Sequence, residues 1–145
     1  MPVTGRVRHG GAGGREATIA VQFNHTIVHA TDRRVSAEFL AHILDLTVGA
    51  PFGPFLPVDT ANGVTLDYAT VPAGTDIVIQ HYAFLVSEPE FDAAFDRIRA
   101  AGIAYFADPH ERQPGEINHL YGGRGVYFRD PDGHGMEIIT QPYRR

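Results

Sequence analysis

Two histidines and two carboxylates stand at matching places in two copies of one pattern. His25 opens His25-Thr26-Ile27-Val28-His29-Ala30-Thr31-Asp32, and His81 opens His81-Tyr82-Ala83-Phe84-Leu85-Val86-Ser87-Glu88. Each copy reads as a strand carrying an inward histidine, closed by a hydroxyl residue and an acid and followed by an amphipathic stretch. The last strand of each copy holds one acid among apolar neighbours: Asp67 in Val64-Thr65-Leu66-Asp67-Tyr68, and Glu137 in Gly135-Met136-Glu137-Ile138-Ile139. Burying such a carboxylate is costly unless a positive group lies beside it, and a divalent metal would supply that charge. His25, His81 and Glu137 therefore form a candidate two-histidine, one-carboxylate metal set, with Asp67 as a candidate fourth member. A nitrogen and oxygen shell of this kind suits Fe(II), Mn, Ni, Co or Zn, whereas Ca and Mg favour mostly oxygen.

The rest of the composition narrows the chemistry. The 145 residues include no cysteine and no lysine. Disulfides, thiolate ligands, thiol nucleophiles, Schiff-base lysines and a phosphate-loop lysine are thereby excluded. A net charge of −5 argues against nucleic acid as a partner. No apolar run reaches the ~18 residues a membrane span needs, and the first residues lack a secretory apolar core, so a cytoplasmic protein is expected.

The elements that must position these residues follow from periodicity. Residues 1–19 are Gly-rich and without hydrophobic period, and are read as a flexible extension; residues 20–145 are read as one domain. From Val21 a strand face carries Val21, Phe23, His25 and Ile27. A helix follows with Thr31 or Asp32 as cap and Val35, Phe39, Ile43 and Leu46 on one stripe. Residues 48–60 look like short strands interrupted by Pro51, Pro54 and Pro57, and Asn62-Gly63 marks a hairpin into Val64–Val71. After Gly74 the order restarts. Ile77, Ile79, His81, Ala83 and Leu85 share a strand face, and Ser87-Glu88-Pro89-Glu90 reads as a capping box. Phe91, Ala94, Phe95 and Ile98 form the helix stripe, with Gly102 as its stop. A strand near Ile103–Phe106, a long loop at 108–123 suggestive of a lid, and strands at Arg124–Arg129 and Gly135–Thr140 complete the second copy. Two such modules, about 20–72 and 76–141, predict an α+β fold. They would pack as two βαβββ units into a curved eight-stranded mixed sheet with an open central cleft and helices outside.

The chain resembles the vicinal oxygen chelate superfamily, which includes glyoxalases, bleomycin-resistance proteins and extradiol dioxygenases. The resemblance rests on Phe23-Asn24-His25, the helix of Glu90–Gly102, and above all Val126-Tyr127-Phe128-Arg129-Asp130-Pro131-Asp132-Gly133-His134-Gly135-Met136-Glu137. It covers about Val21 to Gln141. Carried over position by position, it implies metal ligands at His25, His81 and Glu137. Asp67 matches a fourth position that is often Glu, one methylene longer. The resemblance further implies a homodimer in which a second chain completes the cleft and shares the ligands. His81–Glu88, Gly115-Glu116-Ile117-Asn118-His119 and Gly122-Gly123-Arg124-Gly125 are similar to the subgroup named after an oxygenase of chartreusin biosynthesis, which tailors an aromatic polyketide.

These features imply a dioxygenase-like metalloenzyme of antibiotic biosynthesis, using Fe(II) and O₂ on a small phenolic substrate that chelates the metal. His119 and Asp67 are its candidate catalytic acid/base groups, and Tyr121, Arg124 and Tyr127 its candidate substrate-lining residues; the competing reading of His119 is a solvated loop histidine. A glyoxalase-type isomerase or lyase would use the same ligands without redox change. An antibiotic-binding resistance protein would use the same cleft without catalysis, but usually lacks a full ligand set.

Overall fold

The structure, a computed structural model, describes residues 20–145; the extension expected over residues 1–19 lies outside them. The first module runs β1 (His25–Ala30), α1 (Arg33–Leu44), β2 (Phe55–Asp59) and β3 (Thr65–Thr70). The second runs β4 (His81–Leu85), α2 (Glu88–Ala100), β5 (Tyr105–Phe106), β6 (Gly125–Arg129) and β7 (Gly135–Ile139). The sheet orders are β1-β3-β2 and β4-β7-β6-β5. In each, the first strand of the module lies parallel to the last, Ile27 opposite Asp67 and Ala83 opposite Glu137.

The expected α+β class and the two repeated modules are present, in the form of two open sheets of three and four strands within one chain. The strand count falls one short of eight. The missing member is reduced to isolated antiparallel bridges, Val48 with Val58 and Phe52 with Phe55, because Pro51 and Pro54 remove ladder donors from the segment that would extend it. Both module-opening strands begin at the histidine itself, so Val21, Phe23, Ile77 and Ile79 precede the strands they were expected to join.

Asp32 caps α1 by accepting from the Arg34 and Val35 amides, and Asp45 ends it with a left-handed φ of 53°. The buried face of α1 is Ser36, Ala37, Leu40, Ala41 and Ile43, while Val35 is 52% exposed. Of the expected stripe, Ile43 is buried and Phe39 and Leu46 pack against the core while Val35 lies outside it, and small residues let the helix lie close to its neighbours. In α2 the capping box of Ser87 and Glu90 forms as expected, and Phe91, Ala94 and Ile98 are buried. The Arg97 guanidinium donates to the Ile43 carbonyl at 3.0 Å, tying α2 to the end of α1.

One core serves both modules. Val28, Leu40, Ile43, Leu56 and Tyr68 share it with Phe91, Ile98, Phe128, Met136 and Ile138, each large apolar side chain contributing roughly 1.5–3 kcal/mol by leaving water. The helix-bearing sides of both sheets therefore face inward. The opposite faces look outward: His25, Ile27 and His29 alternate as exposed residues along β1, and His81, Ala83 and Leu85 along β4.

The turn Asp130-Pro131-Asp132-Gly133 fastens the modules together. It closes with the Gly133 amide donating to the Asp130 carbonyl at 3.0 Å, and Gly133 has a φ of +89°. The Asp132 carboxylate accepts from the Thr31 amide and hydroxyl and from the Ser36 hydroxyl. The next residue but one, His134, is 1% exposed and bridges β1 to the start of β4.

Candidate metal centre

The outward face of the second module carries the most developed constellation. His81 Nε2 stands 2.9 Å from Glu137 Oε1. They sit on neighbouring strands, since β4 pairs with β7 in the register Ala83 to Glu137. Gly135 makes room for the imidazole: a Cβ there would lie 3.1 Å from His81 Nδ1. The Tyr143 hydroxyl donates to Glu137 Oε2 and the Tyr127 and Tyr143 hydroxyls are 2.9 Å apart. Burial, followed by the bond to the Tyr143 phenol and the neighbouring Glu137 charge, pushes the Tyr127 hydroxyl well above its ordinary range. Burial and the bond to Glu137 push Tyr143 up as well. Both phenols are therefore protonated donors at neutral pH.

Glu137 is 2% exposed, and its ion-pair partner among the described residues is the half-exposed His81. Among the described residues no guanidinium is paired with it, and the chain has no lysine. A buried carboxylate and an imidazole nitrogen converging on a cavity fit a borderline divalent cation. That cavity is about 350 Å³ and is walled by Ala83, Leu85, Ile139, Pro142, Tyr143 and Arg145 beside the pair. A neighbouring one of about 470 Å³ runs along the free edge of β4 toward Thr26, Thr60 and Leu66 of the first module.

The other expected ligands stand elsewhere in the chain. His25 is exposed at the start of β1, its Nδ1 2.8 Å from the Asn24 side-chain oxygen. Asp67 is half-buried on β3, opposite Ile27 and Pro57. Among the described residues no group of three or more His, Asp or Glu side chains is placed to hold a metal ion within one chain. The structure brings together His81 and Glu137, and leaves His25 and Asp67 on the separate outward face of the first module.

The remaining candidates divide. Tyr127 lies within the constellation, its ring 6.0 Å from that of His81. Tyr121 reaches it indirectly by stacking on Tyr143 at 5.0 Å. Arg124 turns away: its guanidinium is bound to Glu88 and Asp92 of α2 and lies 4.4 Å over the Phe91 ring. The geometry thus uses it to anchor α2. His119 is exposed ahead of the short turn at Leu120–Gly122 and lines neither cavity. Two contributors were missed. Tyr143 lies beyond the last strand, where no periodicity marks it. His134 follows a tight turn and precedes a site strand, and an imidazole in that place is a signal for a buried bridge.

Two repeated strand-helix-strand modules, each carrying a histidine and a carboxylate two register positions apart on adjacent parallel strands, define a class of small two-module proteins. The chain belongs to the Glyoxalase/Bleomycin resistance protein/Dioxygenase superfamily, which it matches over residues 22–138. Among solved structures it is similar to Oxidase ChaP-H2, at 58% identity and a TM-score of 0.83 over 86% of this chain and 97% of that one. It is also similar to Oxidase ChaP-H1, at 56% identity and 0.82 over 87% and 100%. These oxidases bear out the likeness to the chartreusin subgroup. A more distant relative is the glutathione transferase FosA of Serratia marcescens, 29% identical over 79% of this chain and 77% of that protein. No helix among the described residues is long and apolar enough to cross a membrane.

Proposed function

We propose that this protein is a cytoplasmic metal-dependent oxygenase that acts on a small aromatic, phenolic molecule of polyketide type. His81 and Glu137 of one copy and His25 of a second copy hold a divalent metal, Fe(II) in the first instance, with Mn, Ni, Co or Zn as competitors for the same donors. The observation that carries the reading is the buried Glu137 carboxylate, 2.9 Å from an imidazole and with no other ion-pair partner among the described residues. The similarity to two proteins named oxidases supports the oxidative direction.

The division of the ligands between two outward faces argues for a homodimer. Ile27 is 47% exposed beside His25, and Leu85 is 61% exposed on the face of His81. A second copy that laid its first module against this second module would cover both and complete the donor set.

When bound, the metal supplies Lewis acidity and adjacent open positions for substrate oxygens and O₂. The protein's own groups do the rest. Leu85, Ile139 and Pro142 form an apolar wall that excludes water and accepts an aromatic ring. The Tyr143 hydroxyl donates to Glu137, and the Tyr127 hydroxyl is bonded to that of Tyr143. Asp67, on the face of His25, would reach the shared site with that histidine and accept a substrate proton. The exposed position of His119 favours the solvated-loop reading. Metal analysis joined to an oxygen-uptake assay with polycyclic phenols tests the proposal: Fe(II)-dependent oxygen consumption is expected, and a metal-loaded protein that consumes none would return it to the isomerase or binding classes.

A further inference from the structure

The segment after β7 folds back over the site, and one of its residues touches Glu137. A carboxylate only accepts, so the Tyr143 hydroxyl donates its one proton to Glu137 Oε2. The 2.9 Å contact with Tyr127 must then run the other way, with the Tyr127 hydroxyl donating to Tyr143. The two phenols form a directed chain, Tyr127 to Tyr143 to Glu137. Both ends are anchored. Tyr127 sits opposite Glu137 in the β6–β7 register. Tyr143 is stacked on Tyr121 at 5.0 Å, and Arg144 Nη2 donates to the Tyr121 carbonyl at 3.3 Å. We infer that Tyr143 is a positioning residue for Glu137: it occupies Oε2, so that Oε1 alone is presented beside His81 Nε2.

The inference rests on the reading of Glu137 as a metal ligand. Free to rotate, a carboxylate can offer a metal one oxygen or two. Pinned by a phenol, it offers one in a fixed direction, and neighbours of this kind typically alter metal affinity on the order of 10–100-fold. The residues following β7 would thus belong to the site, although they follow the strand that carries the ligand.

The test uses metal-free full-length protein titrated with Co(II), following affinity by calorimetry and geometry by the visible spectrum of the bound ion. Tyr143→Phe keeps the ring and its stack on Tyr121. It should weaken Co(II) binding by about 10–100-fold and change the visible band as Glu137 gains freedom, while the metal-free melting temperature stays close to wild type. Tyr127→Phe leaves the Tyr143 bond in place and should give a smaller loss. Wild-type affinity and spectrum in Tyr143→Phe would overturn the inference alone. A wild-type protein that takes up no Co(II) would overturn the metal reading and the inference with it. Should Tyr143→Phe fail to fold, Tyr127→Phe decides: reduced affinity upholds the chain of donors, and unchanged affinity overturns it.

Discussion

His134 Nε2 donates to the His29 carbonyl at 2.8 Å, joining the second module to the first strand of the other. The tautomer follows from the opposite nitrogen, which accepts the Gln80 amide at 3.0 Å and so carries no proton. One neutral imidazole thereby holds the residue preceding His81 and the strand that begins with His25. The candidate ligands lie in two different sheets, yet the strands that begin with His25 and His81 are registered through this ring.

Removing the ring should be costly. His134→Leu removes the bonds of the buried ring to the part-buried Gln80 amide and His29 carbonyl, each worth about 1–3 kcal/mol where the desolvated group is left unpaired. Urea unfolding should show a loss on the order of 3 kcal/mol without a large change in the denaturant slope. Stability within 1 kcal/mol of wild type, on the scale of ordinary surface changes, would mean the bridge is incidental.

The two carboxylates of the turn should respond oppositely to pH. Burial acts against the Asp132 charge, but the hydroxyl and amide of Thr31 and the hydroxyl of Ser36 outweigh it and hold the carboxyl below its ordinary value. Its stabilisation is present above the ordinary carboxylate range, about 4, and is lost as pH falls through the depressed folded value. Asp132→Asn should flatten the acid side of a plot of melting temperature against pH. Asp130 is shifted upward, chiefly by burial, and its Oδ2 is buried without a partner among the described residues. Its ionisation therefore costs stability as pH rises from the ordinary value through the raised one. Asp130→Asn keeps an acceptor for the Asp132 and His134 amides and should raise the melting temperature at neutral pH.

Much of the scaffold was legible because local signals agree with the tertiary structure. The Ser87 capping box, the Asn62-Gly63 turn and the Asp-Pro-Asp-Gly turn each specify backbone geometry within a few residues. Three of the four expected α1 stripe residues, Phe39, Ile43 and Leu46, pack on the core; Val35 does not, and periodicity of apolar residues passed over the small Ser36, Ala37 and Ala41 that close packing buries beside them. At the site, pairing His81 with Glu137 follows from strand alternation and the repeat. The roles of Tyr143 and Arg124 depend on long-range contacts, one in a segment after the last strand and one toward α2, and neither has a local signature.

Space behind the histidine is a further control point. In Gly135→Ala the new methyl would lie 3.1 Å from His81 Nδ1, so the imidazole must shift. Alanine is compatible with strand β7, and the fold should persist. Metal affinity should fall by about 10-fold, the lower end of the effect of disturbed ligand orientation, as read by Co(II) titration; unchanged affinity would show that the ring position is not critical.

The carboxylate itself is the sharper substitution. Glu137→Ala should lose stoichiometric divalent metal by elemental analysis, whereas Arg124→Gln, altered on the α2 side, should retain it. Full occupancy in Glu137→Ala would remove this residue from the ligand set.

The central claim is that the donor set is shared between two copies, and complementation tests it most directly. His25→Ala and Glu137→Ala are purified separately, unfolded and refolded together, and titrated with Co(II). A dimer of one of each contains one intact set: His25 from the Glu137→Ala chain with His81 and Glu137 from the other. Neither variant alone should bind tightly, and the mixture should regain a fraction of wild-type sites at wild-type affinity. A co-refolded mixture that forms dimers yet binds no more metal than the separate variants would contradict a site shared between copies.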